Sequence, residues 1–432
     1  MSFPKYPAYK DSGVEWIGEI PVGWHSACLK HVAIVDAGQS PASTDCNTEG
    51  CGLPFLQGCA DFGVCYPVPK NYCTIPPKSC CKEDILLSVR APVGRLNVAD
   101  RQYGIGRGLC SIRPSSSHDK KYFLYTILFL EEYFHSISTG STYEAISTEQ
   151  IKNTILFLPP LPEQQAIASF LDRECGKIDA LIAEQERLIA LLAEKRQAVI
   201  SHAVTKGLNP NAPMKDSGIP WIGMVSEEWE IVRLGTIFEE VNESGNENLP
   251  ILSVSIHTGV SDEELSDEKL DRKVTRSDDR SKYIAVRPGD LTYNMMRAWQ
   301  GGFGTVQVMG MVSPAYVVAR PKNISRQKTD FIELLLRTPN AISEMKRYSR
   351  GVTDFRLRLY WEEFKKICIP LPILKEQDEI LNFLKEKTGH FDALATTARN
   401  AITLLKERRA ALISAAVTGK IDVRAQSKAL AA

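Results

Sequence analysis

The strongest constraint on this chain is an internal repeat. A shift of 213 positions aligns the 48 residues 158–205 with residues 371–418, and 23 of these positions are identical without a gap. A shorter repeat, "KDSGVEWIG" at 10–18 and "KDSGIPWIG" at 215–223, agrees at seven of nine positions. Identity of this extent indicates that the two halves descend from one unit, so we expect them to share a fold.

Between the repeated segments, each half contains a long middle part that barely matches its counterpart. Short apolar runs broken by Gly and Pro predict a mixed α/β fold for each middle part. Two pairs of runs still correspond: "LPFLQG" at 53–58 with "LPILSV" at 249–254, and "EDILLSVR" at 83–90 with "GDLTYNMM" at 289–296. The scaffold is therefore repeated closely, whereas the content that it carries differs.

The longer repeat predicts one long helix in each half. Pro159 and Pro162 end the preceding segment, Glu163 suits the helix dipole in the first turn, and Gly207 is a suitable stop. Apolar residues follow a seven-residue period. They are Leu171, Ile178, Leu192 and Val199, with Leu181 and Leu188 three residues on, and then Leu384, Phe391, Ala398, Leu405 and Leu412, with Leu394 and Ala401.

A helix of roughly 40 residues spans about 60 Å, and a heptad stripe of that length needs a partner to cover it. We expect the two helices to pair with each other in antiparallel fashion, and the alternative is that each packs on its own domain. The predicted organisation is a first α/β domain at 1–160, a first long helix at 161–206, a second α/β domain at 207–372, a second long helix at 373–418 and a tail at 419–432.

Composition narrows the function classes. Lys and Arg together number 52, as do Asp and Glu, so any contact with a polyanion must depend on local patches such as "MKRYSRGVTDFRLR" at 345–358. No apolar run approaches the roughly 20 residues of a membrane span, and the first residues lack the apolar core of a signal peptide, so we expect a cytoplasmic protein.

Nine of the eleven cysteines lie at or before Cys110, at irregular spacing and without a Cys-x-x-Cys motif. Structural zinc sites need that kind of close pairing, and reduced thiols are the default in the cytoplasm. We therefore interpret these residues as small buried core thiols and predict no metal site, with a metal-dependent regulator as a rival interpretation.

Two divergent domains at a fixed separation indicate a protein that recognises two elements at a set distance from each other. Duplex DNA is a natural target for such a protein. The segments "KDSGVEWIGEIPVGW" and "KDSGIPWIGMVSEEW", the helix start "LPPLPEQQAIASFLD" and the two-half layout resemble the specificity subunit of type I restriction-modification enzymes. The resemblance covers nearly the whole chain. It implies two target recognition domains, each reading one half of a bipartite, asymmetric DNA site, with the long helices setting the spacer.

The resemblance also implies partners. Two modification subunits would bind S-adenosylmethionine and methylate adenine, and restriction subunits would use ATP and Mg for translocation and cleavage. This chain contains no Walker A motif, no G-x-G-x-x-G and no Asn-Pro-Pro-aromatic tetrapeptide, so we predict that it has neither an active site nor a cofactor of its own. A catalytic fusion is one rival, and a coiled-coil scaffold that binds protein partners without reading DNA is the main alternative.

Sequence readout requires side chains that reach base edges, chiefly Arg to guanine, and phosphate anchoring requires Lys or Arg. The alternative for each such residue is an ordinary surface salt bridge. The candidate DNA-binding residues are Lys70, Arg90, Arg95 and Arg107 in the first domain and Arg297, Arg350, Arg356 and Arg358 in the second.

Two further sequence pairs lead to specific expectations. "STGSTYEAIS" at 138–147 matches "SRGVTDFRLR" at 349–358, and only the second contains arginines, so a difference in specificity between the halves is expected there. The paired residues Trp16 and Trp221 are expected to be structural, each buried against its own domain or the neighbouring helix.

Overall fold

The computed structural model describes residues 3–139, 144–246, 248–266, 280–351 and 357–425. The chain divides into two compact units, Met1–Gln185 with Asn400–Ala432, and Glu186–Arg399. This division cuts both long helices, so each unit contains one α/β domain and a portion of each helix.

The first unit is built mainly from short strands. They are β1 Tyr9–Asp11, β2 Glu19–Pro21, β3 His25–Cys28, β4 Ala33–Ala37, β5 Cys46–Asn47, β6 Leu53–Leu56, β7 Asn71–Cys73, β8 Ser79–Cys80, β9 Ile85–Ser88, β10 Leu96–Val98, β11 Tyr103–Ile105, β12 Leu109–Pro114 and β13 Ile155–Leu158. Two larger sheets dominate, in the orders β10-β9-β12-β4 and β5-β7-β6-β11-β8, and β1-β2 and β13-β3 form smaller pairs.

Strand β9 shows why its apolar run is continuous rather than alternating. Ile85 and Leu87 belong to the main core of the unit, whereas Leu86 belongs to a second core on the other side of the sheet. Successive side chains of a strand point to opposite faces, so a strand buried on both faces must be apolar throughout.

The helices of the first unit are α1 Leu29–Val32, α2 Lys120–Phe129, α3 Glu131–Ser136, α4 Thr148–Lys152 and α5 Leu161–Lys206. Asp119 caps α2 by accepting a hydrogen bond from the Tyr122 backbone N–H at 2.8 Å. Ser147 and Gln150 form a reciprocal capping box at α4. The buried face of α2 packs into the main core together with the first turns of α5.

The second unit repeats this order. Its strands are β14 Met214–Asp216, β15 Met224–Ser226, β16 Glu230–Arg233, β17 Phe238–Glu240, β18 Val254–Ser255, β19 Gly259–Val260, β20 Ile284–Val286, β21 Leu291–Asn294, β22 Phe303–Thr305, β23 Gly310–Val312, β24 Tyr316–Pro321 and β25 Cys368–Leu371. Its helices are α6 Leu234–Ile237, α7 Thr329–Leu336, α8 Pro339–Tyr348, α9 Trp361–Phe364 and α10 Leu374–Val417. The sheet β17-β24-β21-β22 has the same order as β4-β12-β9-β10 in the first unit, which is the topological repeat that the sequence predicts.

The two long helices pair in antiparallel fashion within each unit, as predicted. In the first unit Arg409 of α10 donates to Asp179 of α5 at 2.9 Å, and Ile413 shares a core with Ile167. In the second unit Arg196 of α5 lies 3.6 Å from Asp392 of α10, and Glu376 lies beside Gly207. In both units, residue numbers increase along α5 in the direction in which they decrease along α10.

The predicted heptad stripe is only half correct. At the first heptad position, five residues are buried and four are half-buried; the buried ones are Leu171, Ile178, Leu384, Phe391 and Ala398, and the half-buried ones are Leu192, Val199, Leu405 and Leu412. Three positions on, Leu181, Leu188 and Leu394 are exposed by 51%, 40% and 39%, and Ala401 is half-buried. A single partner helix covers only a narrow stripe of a helix surface, so the second row stays outside the seam.

Candidate nucleic-acid interface

Each α/β domain is tied to its long helix by a buried tryptophan. Trp24 donates its indole N–H to Oε1 of Glu163 at 3.0 Å, and Trp229 donates to Oε2 of Glu376 at 2.9 Å. Both indoles are almost fully buried, so each needs a hydrogen-bond acceptor. The glutamates stand in the first turns of α5 and α10.

The next residue of each helix makes a second matching contact. Gln164 donates to the Pro159 carbonyl at 2.8 Å and accepts from the Asp119 backbone N–H. Gln377 donates to the Pro372 carbonyl at 2.7 Å and accepts from the Lys328 backbone N–H. The repeated Glu-Gln pair thus fixes the angle between domain and helix in the same way in both units.

The expectation of burial is wrong for Trp16. This residue is 51% exposed, stacks on the Tyr133 ring with centroids 5.4 Å apart, and lies at a tilt to the Phe129 ring with centroids 5.8 Å apart. Trp221 is half-buried against the core of the second unit. The deeply buried tryptophans are those that end the longer quoted segments, Trp24 and Trp229, because only these reach the helix start.

We expect Glu376→Ala to lower the free energy of unfolding by about 1–3 kcal/mol, because the buried Trp229 N–H would lose its acceptor. Glu376→Gln keeps an acceptor and should be tolerated. Desolvation raises the pKa of Glu376 in the folded state. Protonation of Glu376 therefore stabilises the folded state, and this stabilisation is present below the ordinary glutamate pKa and is lost as the pH rises through the raised pKa. The free energy of unfolding of the Gln variant relative to wild type should therefore increase as the pH rises from the ordinary glutamate pKa, about 4.3, to that raised value.

Urea unfolding monitored by tryptophan fluorescence across this pH range measures both effects. Glu379→Ala is the matched control, since Glu379 is an exposed carboxylate on the same turn and lies 3.8 Å from Lys375. Equal losses in Glu376→Ala and Glu379→Ala would show that the indole contact contributes nothing.

The loop that follows β9 presents two of the predicted arginines. Arg90 and Arg95 are both exposed. Ser88 closes the loop, because its hydroxyl donates to the Pro92 carbonyl at 2.6 Å and accepts from the Arg95 N–H at 2.9 Å. The Arg95 guanidinium lies 3.7 Å from Glu131. The loop is therefore both exposed and fixed in position.

Arg107 reaches the same edge from a different part of the chain. The Val89 N–H donates to the Gly108 carbonyl at 2.9 Å, which places the β11–β12 turn beside the end of β9. On the other side, the Ile146 N–H donates to the Val89 carbonyl at 3.0 Å, and Arg90 bridges Ala145. Neighbouring strands lie about 4.8 Å apart, so Arg107, Arg90 and Ala145 follow one another across this edge.

The remaining polar residues of interest in the first unit do not lie at the edge formed by Arg90 and Arg107. Lys70 is exposed and directly precedes β7, two strands away from β11 in the five-stranded sheet. Asn97, a further polar residue of β10, is buried and donates to the Gly63 carbonyl at 2.9 Å. Its amide therefore serves the fold.

The second unit has a matching edge with a longer loop. Arg350 and Arg358 exchange backbone hydrogen bonds of 2.9 Å in both directions, as Thr139 and Ala145 do at 3.0 Å in the first unit. The Leu359 N–H donates to the Met295 carbonyl at 2.9 Å, just as Ile146 does to Val89. The two loops that the sequence pairs are thus structural counterparts.

The tips of both loops, residues 140–143 and 352–356, lie outside the described residues, and the predicted contact residue Arg356 falls there.

Leu359 and Ile146 occupy equivalent positions in the two units. Arg358 is therefore the counterpart of Ala145, and Arg90 is the counterpart of Met296. Each unit thereby places an exposed arginine at the same edge, the first from the end of β9 and the second from the loop.

Arg297 lies one residue beyond Met296 and is half-buried. The neighbouring Trp299 donates its indole N–H to the Met296 carbonyl at 3.0 Å, and Lys346 of α8 lies over its ring at 5.5 Å. This side of the second unit therefore gathers cations from the end of β21, from α8 and from the loop after it.

Ion pairing separates the candidates. Arg95 pairs with Glu131, and Arg350 pairs with Glu363, whose pKa is lowered by Lys366 and Arg350. In the described part of the chain, no ion pair is formed by Lys70, Arg90, Arg107, Arg297 or Arg358. Among the described candidates, the salt-bridge alternative therefore applies to Arg95 and Arg350, and the other five form no ion pair with a described residue.

Sequence reasoning missed an ion pair of a buried aspartate in each unit, at the start of β9 and of β21 and thus at the opposite end of each strand from the candidate edge. Arg113 of β12 binds both carboxylate oxygens of Asp84 at 2.7 Å, and Arg320 of β24 binds both oxygens of Asp290 at 2.9 Å. The hydrogen bonds raise the pKa of each guanidinium. The matched runs at 83–90 and 289–296 each carry the aspartate at their second position, and this was the only available signal.

Among the nine cysteines at or before Cys110, the expectation of burial holds for Cys73, Cys80 and Cys110, which are fully buried, whereas Cys28 and Cys59 are half-buried. It is wrong for four exposed thiols, which are Cys46, Cys51, Cys65 and Cys81. Among the described residues, no group of three or more His, Cys, Asp or Glu side chains is arranged to hold a metal ion. No helix in the described ranges has the length and apolar character that a bilayer span needs.

A family model for the type I restriction modification DNA specificity domain matches residues 21–189 and again residues 226–404. The chain belongs to this family. It is a specificity subunit with two DNA-recognition domains, one for each half of the internal repeat. The match favours this assignment over the alternative of a coiled-coil scaffold that binds protein partners without reading DNA.

Known relatives agree with this assignment. A protein described as the MjaX specificity subunit of a type I restriction enzyme from Methanocaldococcus jannaschii is 39% identical over 176 residues, which are 40% of this chain and 41% of that relative. The EcoBI specificity subunit of Escherichia coli is 21% identical over 429 residues, which are 93% of this chain and 87% of that protein.

One solved structure, which describes complex assembly and conformational transition of the type I R-M system, contains a chain similar to this one. The TM-score is 0.61 at 17% sequence identity, over 93% of this specificity subunit and 99% of that chain. At this level of identity the likeness shows the fold.

Proposed function

We propose that each recognition domain reads one half of a bipartite, asymmetric DNA site through the edge at the ends of β9 and β21. The observation that carries this proposal is an exposed arginine at the same edge of both units that forms no ion pair with any described residue, Arg90 in the first and Arg358 in the second. A common backbone frame presents different side chains at this edge, and base identity is read by such side chains.

Arg107 supports Arg90 in the first domain, and Arg297 supports Arg358 in the second. Lys70 stands farther out and suits a phosphate contact, which adds affinity without specificity. Arg95 and Arg350 would act only after releasing their carboxylate partners. Arg356 belongs to the same loop as Arg358 and is included on its sequence position alone.

We infer the wider assembly from what membership of the family implies. The chain would act without catalysis, and its paired helices would set the spacer and dock two modification subunits. Those subunits would supply S-adenosylmethionine for adenine methylation, and restriction subunits would supply ATP- and Mg-dependent cleavage, all in the cytoplasm. The relatives named for type I restriction enzymes support this arrangement.

Co-expression with partner methyltransferase subunits, followed by single-molecule sequencing of host DNA, tests the proposal. We expect methylated adenines within a split motif that has a fixed unspecified gap. Replacing residues 30–157 with the equivalent part of another specificity subunit should change one half of the motif and leave the gap and the other half unchanged.

The control is the unaltered chain purified in the same complex, which must assemble in the same stoichiometry as the chimera. Methylation without a split motif, or a swap that alters both halves, would contradict the assignment of one domain to each half-site. An assembled complex that methylates nothing would contradict DNA reading by this chain.

A further inference from the structure

Two cysteines of the first unit face each other across neighbouring strands. Strands β5 and β7 are antiparallel, and Cys46 lies directly opposite Cys73. In the adjacent pair, the Thr74 N–H donates to the Asp45 carbonyl at 3.0 Å. Hydrogen-bonded and non-hydrogen-bonded pairs alternate along an antiparallel ladder, so Cys46 and Cys73 form a non-hydrogen-bonded pair.

This position brings the two thiols close together. In non-hydrogen-bonded pairs the Cα atoms are about 4.5 Å apart and the side chains leave the same face of the sheet. Disulfides require Cα separations of roughly 4.4–6.8 Å. The pair therefore meets the distance requirement without movement of either strand, although both thiols are free in this structure.

The two thiols also differ in a useful way. Cys46 is exposed, whereas Cys73 is fully buried on the inner strand. A small oxidant in solution therefore reaches Cys46 first, and Cys73 is held next to it as the second thiol. Strand β5 has only two residues and lies at the edge of its sheet, so a covalent link would add substantially to its attachment.

We propose that Cys46 and Cys73 form a reversible cross-strand disulfide when a peroxide oxidises the exposed thiol. The Cys46 thiolate attacks one peroxide oxygen, so an S–O bond forms, the O–O bond breaks and the other oxygen leaves as hydroxide; the peroxide is reduced while sulfur is oxidised to a sulfenic acid. The Cys73 thiolate then attacks that sulfur, the S–S bond forms and the sulfenic oxygen leaves as water. A dithiol reverses the link by exchange.

The link would join the ends of the segment 46–73, which contains Lys70, a residue proposed above to contact phosphate. The inference does not depend on that role. Desolvation and the neighbouring Cys73 thiol raise the pKa of Cys46. Because the thiolate is the attacking form, the rate of oxidation should increase as the pH rises toward that pKa.

The test is hydrogen peroxide treatment of the reduced full-length chain, followed by alkylation and peptide mapping by mass spectrometry. We expect a peptide that links Cys46 to Cys73, lighter by two hydrogen atoms than the sum of the two free peptides and restored by dithiothreitol. Amide hydrogen exchange in β5 should slow on oxidation. Cys46→Ser should abolish both changes.

Cys51→Ser is the matched control, because Cys51 is an exposed thiol five residues further on whose backbone N–H donates to the Asn47 side chain. This variant should still form the link. Oxidation of Cys46 to sulfinic acid with Cys73 still alkylatable, or a link from Cys46 to Cys51 or to a second molecule, would overturn the proposal. Cys73→Ser should leave Cys46 as an unresolved sulfenic acid, which a dimedone probe detects.

Discussion

Asp290→Ala is expected to lower the free energy of unfolding of the second unit by about 3 kcal/mol. Asp290 is 2% exposed and accepts two hydrogen bonds from Arg320, whose side chain is only 18% exposed, and a third from the Arg287 backbone N–H. Removing one partner of a buried ion pair leaves a buried charge without compensation. Glu243 still contacts Arg320 at 2.6 Å, which keeps the expected loss at the lower end of the range.

Hydrogen exchange of the full chain measures this loss unit by unit. Amides of β21 and β24 should exchange roughly a hundredfold faster in the variant, while peptides of the first unit should not change. Asp330→Ala is the matched control, since that exposed carboxylate of the same unit contacts only Gln307 at 3.0 Å among the described residues. A change below about 1 kcal/mol, or an equal change in the control, would contradict the role assigned to the pair.

The corresponding change in the first unit should be milder. Asp84 is also buried, but the Arg113 side chain is 39% exposed. Water can therefore solvate the guanidinium after its partner is removed, so the loss from Asp84→Ala should be smaller than from Asp290→Ala.

The double change Arg90→Ala with Arg107→Ala should weaken binding to the mapped DNA site at least about thirtyfold, because a specific or phosphate contact contributes roughly 1–3 kcal/mol. The two residues lie across neighbouring strands, so their effects need not be additive, and both single variants should be measured. The loss should relax the requirement for only one half of the bipartite motif, since both residues belong to the first unit.

Fluorescence anisotropy with the assembled complex and duplexes altered in either half measures the effect, and the salt dependence separates phosphate from base contacts. Each lost phosphate contact should reduce the slope of log K against log salt by about 0.9. Arg101→Ala is the control, because Arg101 precedes β11 whereas Arg107 follows it, and its guanidinium lies 5.5 Å from the Tyr103 ring. Loss of specificity in both halves, or equal weakening by Arg101→Ala, would contradict the assigned edge.

Much of the repeated scaffold could be predicted, because local sequence patterns specify it and because it occurs in both halves of the chain. The long helices begin at Leu161 and Leu374 and end at Lys206 and Val417, close to the ranges that their heptad period and flanking residues predict. The exposure of Leu181 and Leu188 could not be predicted in this way. Period alone does not say how wide a stripe the partner covers.

The candidate DNA edge shows the opposite case. Arg90 and Arg107 were proposed from residue type and loop context, but their proximity depends on the register of β9, the β11–β12 turn and the segment at 144–146. The correspondence of Arg358 with Ala145 depends on the same register, because the second loop is longer by two residues and a gapless alignment misplaces it.

The sequence by itself determined the duplicated scaffold, the two long helices and the family. Period, capping and internal identity are properties of neighbouring residues or of one copy set beside the other. Only the tertiary structure decided which arginines pair with described carboxylates, that Asp84 and Asp290 meet arginines 29 and 30 residues away, and that Cys46 faces Cys73. Strand register sets such contacts, and register depends on hydrogen bonds between segments distant in the chain.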